Sequence, residues 1–268
     1  MTVSLPPPLG GTAPEEKPLA NAPLTRVVVQ VRFSSILKID SKEGVAPFQE
    51  LARKDYPLFE QVSTASMQFD MTPNGPAFRQ IPANAWRFSD PTRQSVVTLT
   101  SDAITFETSA YPGRSNFIAH WATILGWIDD TYRPSLAVRV GMRYLNRIAG
   151  EAVTRLPDWI KANLIGVALP ELSDHVSQAI SEANLNIEEG GMLLRWGILP
   201  RGVTIDPGLL DPIDTKSWLL DIDAFSNEQR SFDFNALVDT YQRLAERIYA
   251  MFRWTLTPAG LDYFEEQA

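Results

Sequence analysis

Twice along the chain, short segments of alternating polarity give way to one long segment carrying a single apolar stripe. That change of period constrains the fold more than any other feature. Phe117, Trp121, Ile124, Leu125, Ile128 and Tyr132 recur at helical spacing, which predicts an amphipathic helix over 115–132, stopped at Arg133-Pro134. Phe234, Leu237, Val238, Tyr241, Leu244, Ile248, Tyr249 and Phe252 repeat the stripe, with Asp233 placed to cap it. Ahead of the first stripe, Val27, Val29, Val31 and Phe33 alternate in TRVVVQVRF (25–33) and predict a strand with one buried face. A short helix is expected over 45–54, with Pro47 in its first turn and Phe48 and Leu51 inward. Strands are then expected over 61–71, 77–81, 85–89, 95–100 and 103–109, with turn residues at 72–76 and a tight Ser101-Asp102 connection.

The same order returns. LAVRVGMRYLNRI (136–148) reads as a long strand, followed by a short helical stretch near 157–163 and strands over 175–184, 192–199 and 217–225. Glu188-Glu189-Gly190-Gly191 suits a hairpin turn, and Thr257-Pro258 opens a last helix reaching about 265. The expectation is an α+β chain of antiparallel curved sheets with long amphipathic helices. It divides into a flexible Pro-rich arm (1–22) and two α+β halves (23–133 and 134–268), which form one continuous two-lobed domain if their sheets join. Each half follows a β-α-βn-α plan like a helix-grip or TATA-box-binding-protein-like unit. The repetition is one of pattern, not of residues, and a fold analogy carries no function.

Composition closes off several function classes. There is no cysteine, which removes disulfides, thiolate ligands and a Cys nucleophile and fits a reducing, cytoplasmic setting. The first residues, MTVSLPPPLGGTAPEEKPLANAPL, lack the basic start and apolar core of a secretory leader. No window is apolar over the roughly 18 residues that cross a bilayer. The net charge of −8 argues against a nucleic-acid partner and for a protein partner or a homo-oligomer.

Catalytic patterns are sparse. His120 and His175 are the two histidines, each read as a surface or cap residue, and they are not spaced as a metal pair. Gly10-Gly11 and Gly190-Gly191 match no phosphate loop. The expectation is therefore no cofactor and no metal. The distinctive polar feature lies on the strands. Arg139, Arg143 and Arg147 are each an even number of positions apart, so they share one strand face, with Leu136, Val138, Val140, Met142, Tyr144 and Ile148 on the other. Arg26 and Arg32 share a face of the first strand, and Asp221 and Asp223 share one of the last; Arg87 and Glu107 are placed to join them. An arginine-lined face suits an anion or a partner, since guanidinium forks recognise carboxylate and phosphate. The bland alternative is a solvated face crossed by Arg–Asp pairs. Asp221-x-Asp223 also matches part of a Mg²⁺ site. Trp127 and Trp254 are placed near the surface, Trp86, Trp121, Trp196 and Trp218 on core faces.

Taken together, NAPLTRVVVQVRF (21–33), VAPFQELARKDYPLFEQ (45–61), AWRFSD (85–90), VTLTSDAITFETSAY (97–111), RVGMRYLNRI (139–148), LLDID (219–223) and RIYAMFRWTLTPAGLDYF (247–264) resemble a sporadically distributed prokaryotic protein family of similar length without a settled activity. The resemblance implies a patchily inherited gene of the kind found in defence and toxin–antitoxin systems, and it brings no catalytic residues. The leading expectation is a non-enzymatic protein-binding or assembly module. Two alternatives stand beside it: a Mg-dependent phosphate-ester or nucleotide enzyme using the arginine face with Asp221 and Asp223, and a small-ligand carrier, which requires a cavity between sheet and helix.

Overall fold

The computed structural model describes residues 5–17, 19–72, 75–168, 172 and 175–265, with the backbone alone over 63–72 and 75–83. One antiparallel sheet carries the molecule. Its strands are β1 (Leu24–Phe33), β2 (Leu58–Thr72), β3 (Gly75–Ser89), β4 (Ser95–Thr100), β5 (Ala103–Thr108), β6 (Leu136–Ala149), β7 (Ala179–Ile187), β8 (Gly190–Leu199), β9 (Ser217–Ser226) and the short β10 (Arg230–Ser231). The order across the sheet is β2-β3-β4-β5-β1-β6-β9-β8-β7, with β10 against β6. β1 and β6 meet at the centre, Val27 opposite Tyr144, Val29 opposite Met142 and Val31 opposite Val140. Residues 23–133 and 134–268 therefore share one sheet.

The helices are α1 (Lys42–Ala52), α2 (Arg114–Tyr132), α3 (Leu156–Trp159), α4 (Ala162–Ile165), α5 (Phe234–Thr255) and α6 (Pro258–Phe264). The two apolar stripes bury against the sheet: Trp121, Ile124 and Leu125 of α2 and Leu237, Tyr241, Leu244 and Ile248 of α5 join Val27, Val29 and Val31 in one core. The rings of Trp121 and Tyr241 meet edge to face, centroids 5.4 Å apart. Caps fall where the side-chain chemistry places them. The Asp233 carboxylate accepts from the Ala236 N–H and the Thr257 hydroxyl from the Gly260 N–H.

Several expectations are corrected. α1 begins earlier, because Ser41 accepts from the Gly44 N–H and starts the helix there. Pro47 consequently sits beyond the first turn, and Leu51 is 42% exposed. The strands expected over 77–81 and 85–89 are one strand, β3. β4 pairs with it only from Trp86 to Ser89, so Pro82 falls where β3 pairs with β2 alone, and a strand with one free edge accommodates proline. The 72–76 turn includes residues 73–74, which lie outside the described residues. β7 starts at Ala179, so His175 precedes the strand instead of opening it. Leu136 is 41% exposed and Ala137 is in the core. A register shift sets Arg32 opposite Arg139 but Phe33 opposite Ala137, which inverts the alternation at that end of β6 only.

The N-terminal arm differs most from expectation. Over 5–17 it lies on α5 and α2. The Arg247 guanidinium donates to the Pro8 and Gly11 carbonyls at 3.1 and 3.2 Å, Tyr249 Oη accepts from the Lys17 N–H at 2.9 Å, and the Leu9 carbonyl accepts from the Glu188 N–H. Prolines that shorten the list of unfolded conformations also lower the entropic cost of docking such a segment.

Candidate functional site

The parity argument places the arginine row correctly. Arg139, Arg143 and Arg147 lie on the sheet face away from the long helices, as do Asp221 and Asp223, because Tyr144 and Ile148 of β6 and Ile222 of β9 point into the helix-side core. Arg143 forks Asp221, Nε to Oδ1 at 2.8 Å and Nη2 to Oδ2 at 2.9 Å, and its Nη1 donates to Asp206 at 2.7 Å. Arg195 of β8, directly opposite Asp221, reaches the same Oδ2 at 2.9 Å. Burial lowers the Arg143 pKa, but the hydrogen bonds and charges of Asp221 and Asp206 outweigh it and the net shift is upward. Arg139 lies 3.5 Å from Asp223 and over the Phe225 ring, and it crosses Gly141 so closely that a Cβ there would meet its Nη1 at 2.7 Å.

The rest of the expected row is less connected. Arg147 donates from Nη1 to the Asp211 carbonyl at 2.7 Å. Arg26 and Arg87 flank Glu107 at 3.8 and 3.5 Å, while Arg32 makes its own exposed pair with Asp102 at 2.6 Å. Burial raises the Glu107 and Asp223 pKa values against the pull of these arginines. The 200–216 connection also covers part of the face, packing Leu210 on Leu145, Leu199 and Leu219. Asp221 is 1% exposed and both its oxygens are held by guanidinium groups. A carboxylate so buried and so occupied by cations is poorly placed to take a Mg²⁺ ion, and among the described residues no cluster of three or more His, Asp or Glu side chains is placed to hold a metal. The face reads as an ion-pair network centred on Asp221, with Arg147 left outside it, bonded to a carbonyl and with its Nε and Nη2 buried without a partner among the described residues.

The better-formed site is on the opposite side of the sheet, where the arm, the β5–α2 connection, β6 and α5 enclose a cavity of about 460 Å³. Leu19, Leu24, Ala245 and Phe252 give it apolar walls. Tyr111 and Tyr144 supply polarity: their hydroxyls are 2.8 Å apart. Burial raises both pKa values, Tyr111 to about 12, so both stay protonated. One of the two hydroxyl protons closes the bond between them. The other has no acceptor among the described residues. Arg114, the first residue of α2, is 8% exposed and stacks on Tyr249 with its guanidinium carbon 5.3 Å from the ring centre. Its Nη2 has no hydrogen-bond partner among the described residues. Its nearest acids, Glu16 at 3.6 Å from Nε and Glu246 at 3.8 Å from Nη1, stand beyond hydrogen-bonding distance of the guanidinium.

Sequence reasoning did not find this site. Its residues come from the arm, a strand, a helix start and a second helix, and only the sheet order brings them together. One signal was present: Pro112-Gly113 begins a long helix without a Ser, Thr, Asp or Asn cap. His120 was likewise misread as a surface or cap residue; it is half-buried, its Nε2 bonded to the Tyr56 hydroxyl beside Phe106. Of the tryptophans, Trp86, Trp121 and Trp218 are fully buried, Trp127 packs on Phe48 and Tyr56, and Trp254 is exposed under Lys161. No helix among the described residues is long and apolar enough to cross a membrane. No protein-family model and no curated protein sequence matches the chain.

Proposed function

We propose that the protein is a non-enzymatic binding protein that holds a small, mostly apolar molecule between its sheet and α5. The observation that carries this reading is the cavity lined by Leu19, Leu24, Ala245 and Phe252 and polarised by the Tyr111–Tyr144 pair and Arg114. Its volume of about 460 Å³ falls in the range of small-ligand sites, and a few convergent polar groups in an apolar wall are what such sites share. We read each half as a helix-grip-like unit, a long helix laid over antiparallel strands, a likeness of plan that carries no activity. The test is titration with an environment-sensitive apolar dye. Saturable binding to the wild type, lost in Ala245→Phe and in Ala22→Trp at unchanged circular dichroism, supports the site. Equal dye binding by all three proteins overturns it.

A second reading, an assembly module of a prokaryotic defence-like system, is favoured by the β2–β3 hairpin. Its strands pair with each other from Leu58–Ser89 to Thr72–Gly75, while β4 pairs with β3 only from Trp86 to Ser89. The outer pairs thus form a two-stranded ribbon, an arrangement only marginally stable by itself in water and suited to a protein partner or a second copy. Light scattering tests it: a chain in which Asn-Gly replaces 63–83 should lose an association shown by the full chain. A full chain that is monomeric and stays so at high concentration argues against homo-oligomerisation.

A further inference from the structure

We infer that the cavity takes an amphipathic monocarboxylate, and that the Glu16 carboxylate of the arm occupies the seat of the ligand's head group. The inference rests on the small-ligand reading above and specifies the ligand. The unsatisfied polar groups at the seat are donors. The guanidinium of Arg114 carries N–H groups in a planar fork, and its Nη2 is buried without an acceptor. The Tyr111–Tyr144 pair holds one hydroxyl proton beyond the bond between the two rings. A head that only accepts hydrogen bonds satisfies both, and a planar carboxylate meets a guanidinium fork with two parallel bonds at a single negative charge. Glu246, at 3.8 Å from Arg114, adds repulsion against a doubly charged head.

The seat already accommodates a carboxylate. Glu16 Oε1 accepts from the backbone N–H of Arg114 at 3.3 Å, and its Oε2 stands 3.6 Å from the Arg114 Nε. This contact holds the charge near the cation without a hydrogen bond to the guanidinium, so a carboxylate free to approach end-on gains contacts that Glu16 does not make. A buried N–H left without an acceptor is costly, so a carboxylate that bonds the Arg114 Nη2 recovers what Glu16 leaves unmade, against the competition of Glu16 for the seat. Glu16 is also tethered: Lys17 on the next residue bonds Tyr249 and pairs with Glu265, and Arg247 holds the arm upstream at Pro8 and Gly11. The side chain can leave the seat while the arm stays docked, and the apolar body of the ligand then lies against Leu24, Ala245 and Phe252.

Isothermal titration of the full chain with octanoate and with octanol, in wild type, Glu16→Gln and Arg114→Gln, tests this. Glu16→Gln should bind octanoate at least several-fold more tightly than wild type while octanol binding is unchanged. Arg114→Gln should bind acid and alcohol equally. Octanoate and octanol binding alike in the wild type and in Glu16→Gln would overturn the carboxylate inference and leave the small-ligand reading standing. Failure of both probes to bind any of the three folded proteins, together with failure of the dye, would remove the small-ligand reading itself.

Discussion

Arg247 donates to both carboxylate oxygens of Glu189, from Nε and from Nη2, each at 2.9 Å. Both side chains are almost fully buried, 4% and 8% exposed. The same guanidinium binds the Pro8 and Gly11 carbonyls, so one cation joins α5, the β7–β8 turn and the arm. Removing it leaves a buried carboxylate without its partner. Arg247→Leu should cost about 3–5 kcal/mol in chemical denaturation. It should also make the arm a preferred site of limited proteolysis, and Arg247→Leu/Glu189→Leu should recover much of the stability. An arm as protease-resistant in Arg247→Leu as in wild type would show that other contacts hold it.

The contact between Trp121 and Tyr241 joins the two long helices at the core. Trp121→Ala should destabilise by about 3–5 kcal/mol. Tyr241→Phe should cost only about 1 kcal/mol, for the bond from its hydroxyl to the Gln30 carbonyl at 2.7 Å. In a double-mutant cycle of Trp121→Ala with Tyr241→Ala, which removes both rings, the two positions should couple by more than about 0.5 kcal/mol, as residues in contact do. Strict additivity would mean that the rings do not meet in solution.

Charge reversal on the arginine face should now report on stability. Asp221 is the buried hub of Arg143 and Arg195, so Arg143→Glu, which sets a third carboxylate beside those of Asp221 and Asp206, should lower the urea midpoint markedly. Arg32→Glu breaks only an exposed pair and should cost about 0–1 kcal/mol. Neither change should alter dye binding in the cavity on the other side of the sheet. A stable Arg143→Glu protein would show the network to be dispensable.

His120 makes stability depend on pH. Burial lowers its pKa below the ordinary 6.5, opposed by the charge of Asp55. In the unfolded chain it takes a proton first, so the unfolded state binds more protons between the lowered value and 6.5. Its contribution to stability is complete above that window and declines as pH falls through it. Thermal denaturation of wild type and His120→Gln from neutrality down should converge below the window. A constant difference between the two proteins at every pH would refute the linkage.

Parity made much of the polar face legible. Residues two and four apart on β6 and β9 share a face whatever the tertiary structure, so Arg139, Arg143, Arg147, Asp221 and Asp223 could be grouped before any fold was known. Parity could not show which carboxylate each arginine holds. Asp206 comes from a connection and reaches Arg143, while Arg195 is a lone charge on its strand that the β8–β9 register brings to Asp221. Nor could it foresee the register shift that turns Leu136 outward, since a bulge is set by the partner strand as much as by its own sequence. The cavity was illegible for a related reason. Glu16 and Arg114 are 98 residues apart, and the composition of the arm points to open chain when its docking surface on α5 is not in view.

The pairing of β1 with β6 at the centre of the sheet has a consequence for synthesis. When residues up to the end of α2 have emerged, β1 has β5 on one side and nothing on the other, because its second partner is still unmade. Until then its free N–H and C=O groups form an exposed edge able to recruit a foreign strand. A strand paired along both edges in the finished molecule is therefore open to mispairing while the chain is being made.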